Sequence, residues 1–206
     1  TAYFNSLLTA AVVIVVVLTV VGFGAYATSK LQFKLRGFFV AYFFVANSLP
    51  GFLYIVPDYF MMNKIGLVDT RWSLMIVYTA INIPFNMLLL TTGLNNIPGD
   101  VYEAASIDGA TSVQKFFKIT IPLLKPTIMS VLILGFVLTF KVFDLVYVMT
   151  GGGPVDATEV LSTYSYKLSF QTFHFGEGAA AANVLFICLF IVALIYLKTI
   201  SKDETI

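Results

Sequence analysis

The stretch Leu7–Ala27 reads LLTAAVVIVVVLTVVGFGAYA and contains no charged residue. A helix needs about 20 mostly apolar residues to cross the hydrocarbon core of a bilayer, and this stretch is long enough. A strand of a membrane barrel would instead alternate apolar and polar residues over about ten positions. The stretch therefore predicts a membrane-spanning helix.

Four further runs have the same continuous apolar character. They are Phe38–Phe60, Trp72–Thr92, Thr127–Val148 and Ala179–Leu197. Pro50-Gly51 and Pro57 interrupt the first of these and Pro84 the second, and we expect packing kinks there rather than gating hinges. The runs predict an all-α integral membrane protein, a polytopic bundle with five transmembrane helices that forms a single domain over residues 1–206.

The composition agrees with a membrane location. Hydrophobic residues make up 59% of the 206 residues and charged residues 11%, whereas soluble domains carry about 25% charged residues. The 12 basic and 11 acidic residues balance to a net charge of +1, which argues against a nucleic-acid partner. Because Cys188 is the single cysteine, an intrachain disulfide and a cysteine metal cluster are excluded.

Basic residues in the loops predict the orientation, because they concentrate on the cytoplasmic side. Three of them fall on one side: Lys64, Arg71 and Lys167. Eight fall on the other: Lys30, Lys34, Arg36, Lys115, Lys118, Lys125, Lys198 and Lys202. The loop at about 93–126 is therefore predicted to be cytoplasmic and the loop 149–178 to face outward. A protein with a cytoplasmic N-terminus would then need a sixth helix before Thr1.

The predicted cytoplasmic loop contains the segment IPGDVYEAASIDGA at Ile97–Ala110. Asp100 is predicted to cap a short helix, with Glu103 three residues later as in a capping box. Gly109 is predicted to end this helix in a left-handed conformation. A second short helix over residues 114–119 is expected to follow Thr111 or Ser112.

The first short helix carries a small apolar face, formed by Val101, Ala104, Ala105 and Ile107. Such a face can dock into a groove of a cytoplasmic partner. It can equally lie on the lipid headgroups as an interfacial helix. The residue pattern alone leaves both interpretations open.

The spacing of this loop resembles the EAA loop of ATP-binding-cassette (ABC) importer permeases. Glu103-Ala104-Ala105 is followed after three residues by Gly109, and after nine more by Ile119, with Ile121-Pro122 next. Ile121 stands where leucine is usual. More narrowly, the chain resembles the carbohydrate-uptake permeases of the maltose and glycerol-phosphate type. Residues 143–154 are similar to the larger-subunit branch and residues 25–36 to the second-subunit branch, which leaves the subunit assignment open.

This resemblance implies a type I ABC importer permease fold and a transport path for a carbohydrate or related polyol. It also implies that the loop docks on an ATPase subunit, and the implied coupling residues are Glu103, Ala104, Ala105, Asp108 and Gly109. The implied partners are ABC ATPase subunits, a second permease subunit in a heterodimer, an extracytoplasmic solute-binding protein and membrane lipid. The implied location is the inner membrane of a bacterium or archaeon.

No enzymatic site is expected in this chain. The sequence lacks the G-x-x-x-x-G-K-[ST] loop of a nucleotide-binding site, so ATP and Mg²⁺ are expected on the partner ATPase and no cofactor or metal on this chain. No carboxylate pair, metal-ligand cluster or nucleophile–base set is evident either.

Polar residues within the spans are candidates for the substrate path, because ionisable groups there are costly and usually functional. Lys141 and Asp144 have the spacing of one helix face, which predicts either a structural ion pair or part of a ligand site. Tyr78, Asn82 and Phe85 share a face of the third span and favour either sugar binding or interhelical packing.

By resemblance to the maltose-type permease, Tyr78, Asn82, Phe85 and Thr139 fall near sugar-contacting positions. Two other classes of function remain to be separated from an ABC importer. One is a secondary transporter that uses Lys141 and Asp144 for ion coupling. The other is a membrane scaffold without transport, which leaves the EAA spacing unexplained.

Overall fold

The computed structural model describes residues 2–203, and every regular element among these residues is a helix. The first four helices are α1 (Ala2–Lys30), α2 (Arg36–Ser48), α3 (Phe52–Lys64) and α4 (Arg71–Asn95). The next three are α5 (Gly99–Ile107), α6 (Ser112–Lys115) and α7 (Ile121–Phe140), with a π-helical segment, Phe116–Thr120, joining the last two. The remaining helices are α8 (Asp144–Met149), α9 (Leu161–Tyr166), continued by a second π segment at Lys167–Gln171, and α10 (Phe175–Asp203).

Four helical segments within the described residues are long and apolar enough to cross a membrane. They are Ala2–Lys30, Arg71–Asn95, Ser112–Phe140 and Phe175–Lys198. The pair α2–α3 makes a fifth if its two halves count as one broken span. The all-helical fold is confirmed, and so are the runs predicted at Leu7–Ala27, Trp72–Thr92 and Ala179–Leu197, which lie inside α1, α4 and α10.

The run predicted at Phe38–Phe60 is not a continuous helix. Helical conformation stops after Ser48 and resumes at Phe52. Pro50 has no N–H to donate and disfavours helical conformation at the residue before it, and Gly51 adds a second helix-breaking residue. Pro57 and Pro84, by contrast, lie inside α3 and α4.

The run predicted at Thr127–Val148 differs from the structure at both ends. The helix begins at Ser112 and continues through the first π segment to Phe140. Residues 141–143 are not helical, and a new short helix begins at Asp144. The prediction that Lys141 and Asp144 share a helix face is therefore wrong.

The chain separates into two compact units. Unit I comprises residues 17–48 and 83–132, and unit II the described parts of residues 1–16, 49–82 and 133–206. In unit I, a Cβ atom on Gly24 would lie 2.9 Å from Cε of Met87, and one on Gly93 would lie 2.7 Å from Oγ1 of Thr127. These small residues let α1 and α7 approach α4 closely.

Unit II is fastened by hydrogen bonds between the first turns of α1 and the segment before α9. Nδ2 of Asn5 donates to the carbonyl oxygens of Ala157 and Glu159, both at 3.0 Å. Oγ of Ser6 accepts from the backbone N–H of Leu161 at 3.1 Å. Asn5 and Ser6 are both buried, so these bonds are shielded from water and hold the loop in one conformation.

Candidate functional site

The helix α5 carries the EAA residues and begins one residue before Asp100. Pro98 takes the N-cap position without a side-chain hydrogen bond, and Gly99 is the first helical residue. The predicted capping box of Asp100 and Glu103 is therefore wrong, because Asp100 already lies within the first turn. Its carboxylate there still interacts favourably with the positive end of the helix dipole.

The end of α5 has the predicted left-handed glycine. Gly109 has a φ of +79°, and its N–H donates to the carbonyl oxygen of Ser106 at 3.1 Å. The N–H of Ala110 donates to the carbonyl oxygen of Ala105 at 2.9 Å. These two bonds form a Schellman motif, which satisfies the last carbonyl groups of the helix and sets the direction of the chain that follows.

The second helix of the loop starts with a true capping box. The backbone N–H of Gln114 donates to Oγ1 of Thr111, and Oε1 of Gln114 accepts from the N–H of Thr111 at 2.8 Å. The predicted second helix is present, but it begins at Ser112, two residues before the predicted start at Gln114. The predicted end near Ile119 is wrong, because the helix runs on through the first π segment into α7.

The surface of α5 is open to a partner. None of its nine residues is buried, and Ile107 is 87% exposed. Glu103, Ala104, Asp108 and Gly109 are exposed, and Ala105 is half-buried. Beside this helix lies a groove of about 390 Å³ lined by Asp108, Gly109, Ala110, Gln114, Lys115, Lys118 and Ile119.

Several residues of the predicted substrate path lie in unit II. Tyr78 is 7% exposed and Thr139 is 2% exposed. The hydroxyl groups of both have no hydrogen-bond partner among the described residues. Nδ2 of Asn82 donates to the carbonyl oxygen of Tyr78 at 2.8 Å, one turn earlier in α4. Two buried hydroxyls without partners are suited to bind a polar ligand, because leaving them unpaired costs free energy.

The charged pair of the predicted path is not paired. Lys141 and Asp144 are both exposed, and among the described ion pairs none joins them. Asp144 is instead the first residue of α8. Phe85 belongs to unit I and is 40% exposed. Lys141 and Asp144 are therefore two exposed charges on either side of a break in the helix and not an ion pair.

A charged cluster in unit II was missed by the sequence analysis. Nζ of Lys167 lies 2.9 Å from Oδ1 of Asp156 and 2.9 Å from Oε1 of Glu159. Glu159 is 4% exposed, and its burial raises the pKa of its carboxyl group although Lys167 acts in the opposite direction. The hydrogen bond to Lys167 lowers the pKa of Asp156. Burial acts to lower the pKa of Lys167, but its two carboxylate partners raise it overall.

The family of this chain follows from comparison with known proteins. Residues 19–203 match the family described as binding-protein-dependent transport system inner membrane component. The chain belongs to this family. It is thus an ABC transporter permease component embedded in the inner membrane, and the comparisons give no support to an ion-coupled carrier.

Two relatives illustrate the match. A putative ABC transporter permease protein of a Caldicellulosiruptor species is 45% identical over 123 residues, which are 59% of this chain and 88% of the relative. The trehalose/maltose transport system permease protein MalF of Thermococcus litoralis is 43% identical over 115 residues, which are 56% of this chain and 39% of the relative. The match spans 53% of a probable ABC transporter permease protein of Brucella suis. The chain thus covers about half or less of the Brucella and Thermococcus relatives.

The fold agrees with that of solved ABC importers. A bacterial ABC transporter involved in the import of the acidic polysaccharide alginate contains a chain that superposes with a TM-score of 0.73. The superposition covers 98% of this chain and 73% of that chain, with 22% sequence identity. The type I ABC importer permease fold is therefore confirmed.

Proposed function

We propose that this permease forms the translocation path of an ATP-driven importer for a carbohydrate or related polyol. The observation that carries this proposal is the exposed helix α5, which presents Glu103 and Ala104 and is followed after its C-cap by Gly109. None of the residues of α5 is buried by its own chain, so this helix is available to a partner. The names of the sugar-transporting relatives support the substrate class.

Coupling is proposed to pass through the loop at about 93–126, as the cytoplasmic part of a single permease domain. The residues Glu103, Ala104, Ala105, Asp108 and Gly109 contact an ABC ATPase subunit, and the Schellman motif fixes the angle at which the contact is made. ATP and Mg²⁺ are held by that ATPase. A second permease subunit completes the path as a heterodimer, and an extracytoplasmic solute-binding protein delivers the solute in a bacterium or archaeon.

Solute binding is proposed to use Tyr78, Asn82, Phe85, Thr139, Lys141 and Asp144. In unit II, the hydroxyl groups of Tyr78 and Thr139, which have no hydrogen-bond partner among the described residues, would bind sugar hydroxyls. In unit I, the ring of Phe85 is a separate candidate for contact with an apolar sugar face. The amide of Asn82 and the exposed charges of Lys141 and Asp144 supply further hydrogen-bonding groups.

The substrate assignment is tested with the full complex in proteoliposomes and radiolabelled maltose, trehalose and glycerol phosphate. Tyr78→Phe and Thr139→Val each remove one hydroxyl and are expected to raise the KM of uptake by about three- to tenfold. Tyr59→Phe is the matched control, since the Tyr59 hydroxyl forms no hydrogen bond with any residue that the structure describes. Unchanged KM values in both variants for every transported solute would remove Tyr78 and Thr139 from the path.

A further inference from the structure

The side chain of Tyr102 in α5 contacts two other elements of unit I. Nζ of Lys30, at the end of α1, lies 4.7 Å from the centroid of the Tyr102 ring. The hydroxyl oxygen of Tyr102 lies 2.9 Å from Oγ1 of Thr120, at the end of the first π segment. Tyr102 therefore joins the EAA helix to α1 by a cation–π contact and to the π segment by a hydrogen bond.

The hydrogen bond of Tyr102 ends on a buried group. Thr120 is 0% exposed, and its hydroxyl donates to the carbonyl oxygen of Lys115 at 3.4 Å. Either hydroxyl can donate the bond that Tyr102 and Thr120 share. In low-dielectric surroundings such a bond is stronger than one in water.

The π segment in turn contacts α1. The ring of Phe116, its first residue, packs edge-on against the ring of Tyr26 with centroids 5.7 Å apart. Single π turns inside α-helices are frequent at functional sites and at hinges. Tyr102 is thus bonded to the turn at which the helix Ser112–Phe140 departs from regular α geometry.

Few other side-chain contacts of α5 are present among the described residues. No residue of α5 is fully buried, and only Tyr102 and Ala105 are half-buried, so packing of a hydrophobic face contributes little to its position. The other side-chain link runs from Nζ of Lys115 to Oγ of Ser106 at 2.9 Å, and it is exposed to solvent. An exposed hydrogen bond exchanges readily with water, so among the described side-chain contacts those of Tyr102 are the main connection from α5 to α1 and to the π segment.

We propose that Tyr102 is a positioning residue that transmits displacement of the EAA helix to α1 and α7. The inference rests on the proposed function, because it requires an ATPase to move α5. When α5 moves, the Tyr102 hydroxyl moves Thr120 and with it the start of α7, while the ring moves the end of α1 through Lys30. The backbone through the Gly109–Thr111 turn is a second route, and it joins the same helical segment at its start, Ser112.

The test uses the full complex with its ATPase and second permease in proteoliposomes. The solute transported per ATP hydrolysed is measured together with the amount of ATPase that co-purifies. Tyr102→Phe removes only the hydroxyl, Thr120→Val removes its hydrogen-bond partner, and Tyr102→Leu removes both contacts. We expect about a three- to tenfold fall in solute per ATP for Tyr102→Phe and for Thr120→Val, and a larger fall for Tyr102→Leu.

The double variant Tyr102→Phe/Thr120→Val is expected to fall no further than either single variant, because both remove the same bond. Lys30→Gln should lower the ratio and Lys30→Arg, which keeps the cation over the ring, should restore it. Co-purified ATPase and the control Tyr59→Phe should match the wild type. If Tyr102 only stabilised the fold, its variants would lower the yield of complex and leave the solute transported per ATP hydrolysed unchanged.

The possible failures are distinguishable. If the wild type neither binds an ATPase nor imports solute with ATP, the proposed function is wrong and this inference falls with it. If Glu103→Lys uncouples the complex while all Tyr102 and Thr120 variants keep the wild-type ratio, the proposed function stands and the role of Tyr102 is overturned. If the losses in solute per ATP add up in the Tyr102→Phe/Thr120→Val variant, the two residues do not transmit movement through their shared hydrogen bond, and the proposal is overturned.

Discussion

The ammonium group of Lys167 lies 2.9 Å from Oε1 of Glu159, a carboxyl group that is almost fully buried. The same ammonium group contacts the exposed Asp156 at 2.9 Å. Glu159 also contributes its backbone carbonyl to the amide of Asn5. The ion cluster and the Asn5 hydrogen bonds therefore fasten the same segment of unit II, so the charge state of Glu159 bears on the stability of that segment.

Unit II is predicted to lose stability as the pH rises through the range where Glu159 ionises. Its pKa in the folded protein is above the ordinary value of 4.5, so the folded state holds this proton more tightly than the unfolded state. The contribution of Glu159 to the free energy of unfolding is then complete below about pH 4.5 and declines above that value. Asp156 has a lowered pKa, so its contribution is present above its usual pKa and is lost only on stronger acidification.

The measurement is the thermal unfolding temperature of the detergent-solubilised protein from pH 4 to pH 7, compared with Glu159→Gln. The neutral variant does not ionise at this position, so its unfolding temperature is expected to gain on that of the wild type as the pH rises. Lys167 stays charged throughout, because its raised pKa lies above this range. The raised pKa of Glu159 would be contradicted if the advantage of Glu159→Gln in unfolding temperature stayed constant or became smaller with rising pH.

The left-handed glycine of the EAA loop gives a second prediction. A Cβ atom on Gly109 would meet no atom within 4 Å, so only its φ of +79° opposes substitution. A left-handed conformation costs a non-glycine residue about 1–2 kcal/mol, and a β-branched residue most. ATP-driven uptake should fall in the order Gly109→Asn, Gly109→Ala, Gly109→Val, with the last the most severe.

Gly99→Ala is the matched control for Gly109, since Gly99 also has open space but no positive φ. It should transport like the wild type. Equal and near-normal uptake by the alanine and valine variants of Gly109 would mean that the bend after α5 is not needed for coupling.

Charge reversal at Glu103 should abolish ATP-driven transport and leave membrane insertion intact. Glu103 is exposed, so the substitution disturbs no core, while a positive charge is unfavourable in the N-terminal half of the helix and in the proposed ATPase contact. Co-purified ATPase and uptake are measured together, and Glu177→Lys, at an exposed carboxylate in the first turn of α10, is the control. Wild-type values for Glu103→Lys would refute the proposed contact.

Lys141 and Asp144 are predicted to act independently on stability. They lie on either side of a break between α7 and α8 and form no ion pair, so neither neutral substitution leaves a buried unpaired charge. The unfolding free energies of Lys141→Gln, Asp144→Asn and the double variant should add to within about 0.5 kcal/mol. A large coupling energy would indicate a direct contact in the membrane.

The sequence predicted most of the helices because long apolar runs leave few alternatives in a bilayer. It also predicted Gly109, since only glycine readily takes the left-handed conformation that ends a helix. The start of α5 was misjudged because Asp100 and Glu103 have capping-box spacing, whereas Pro98 occupies the N-cap. Apolar continuity likewise concealed the breaks at residues 49–51 and 141–143, which depend on backbone geometry and not on hydropathy.

Tertiary contacts were beyond the sequence analysis. Tyr102 precedes the EAA residues, but nothing in the local pattern indicates that its hydroxyl reaches Thr120, 18 positions later. The contacts of Asn5 with residues more than 150 positions away cannot be read from spacing either. The two unpartnered hydroxyls of Tyr78 and Thr139 became evident only once burial was known.

The central claim is that import by this permease is driven by ATP and not by an ion gradient. The direct measurement is solute uptake by proteoliposomes that contain the complete complex, with ATP inside or outside, in the presence of ionophores that collapse proton and sodium gradients. The account predicts that uptake requires ATP at the face that carries α5 and is unaffected by the ionophores. Uptake that persists without ATP and stops when the ion gradients are collapsed would contradict it.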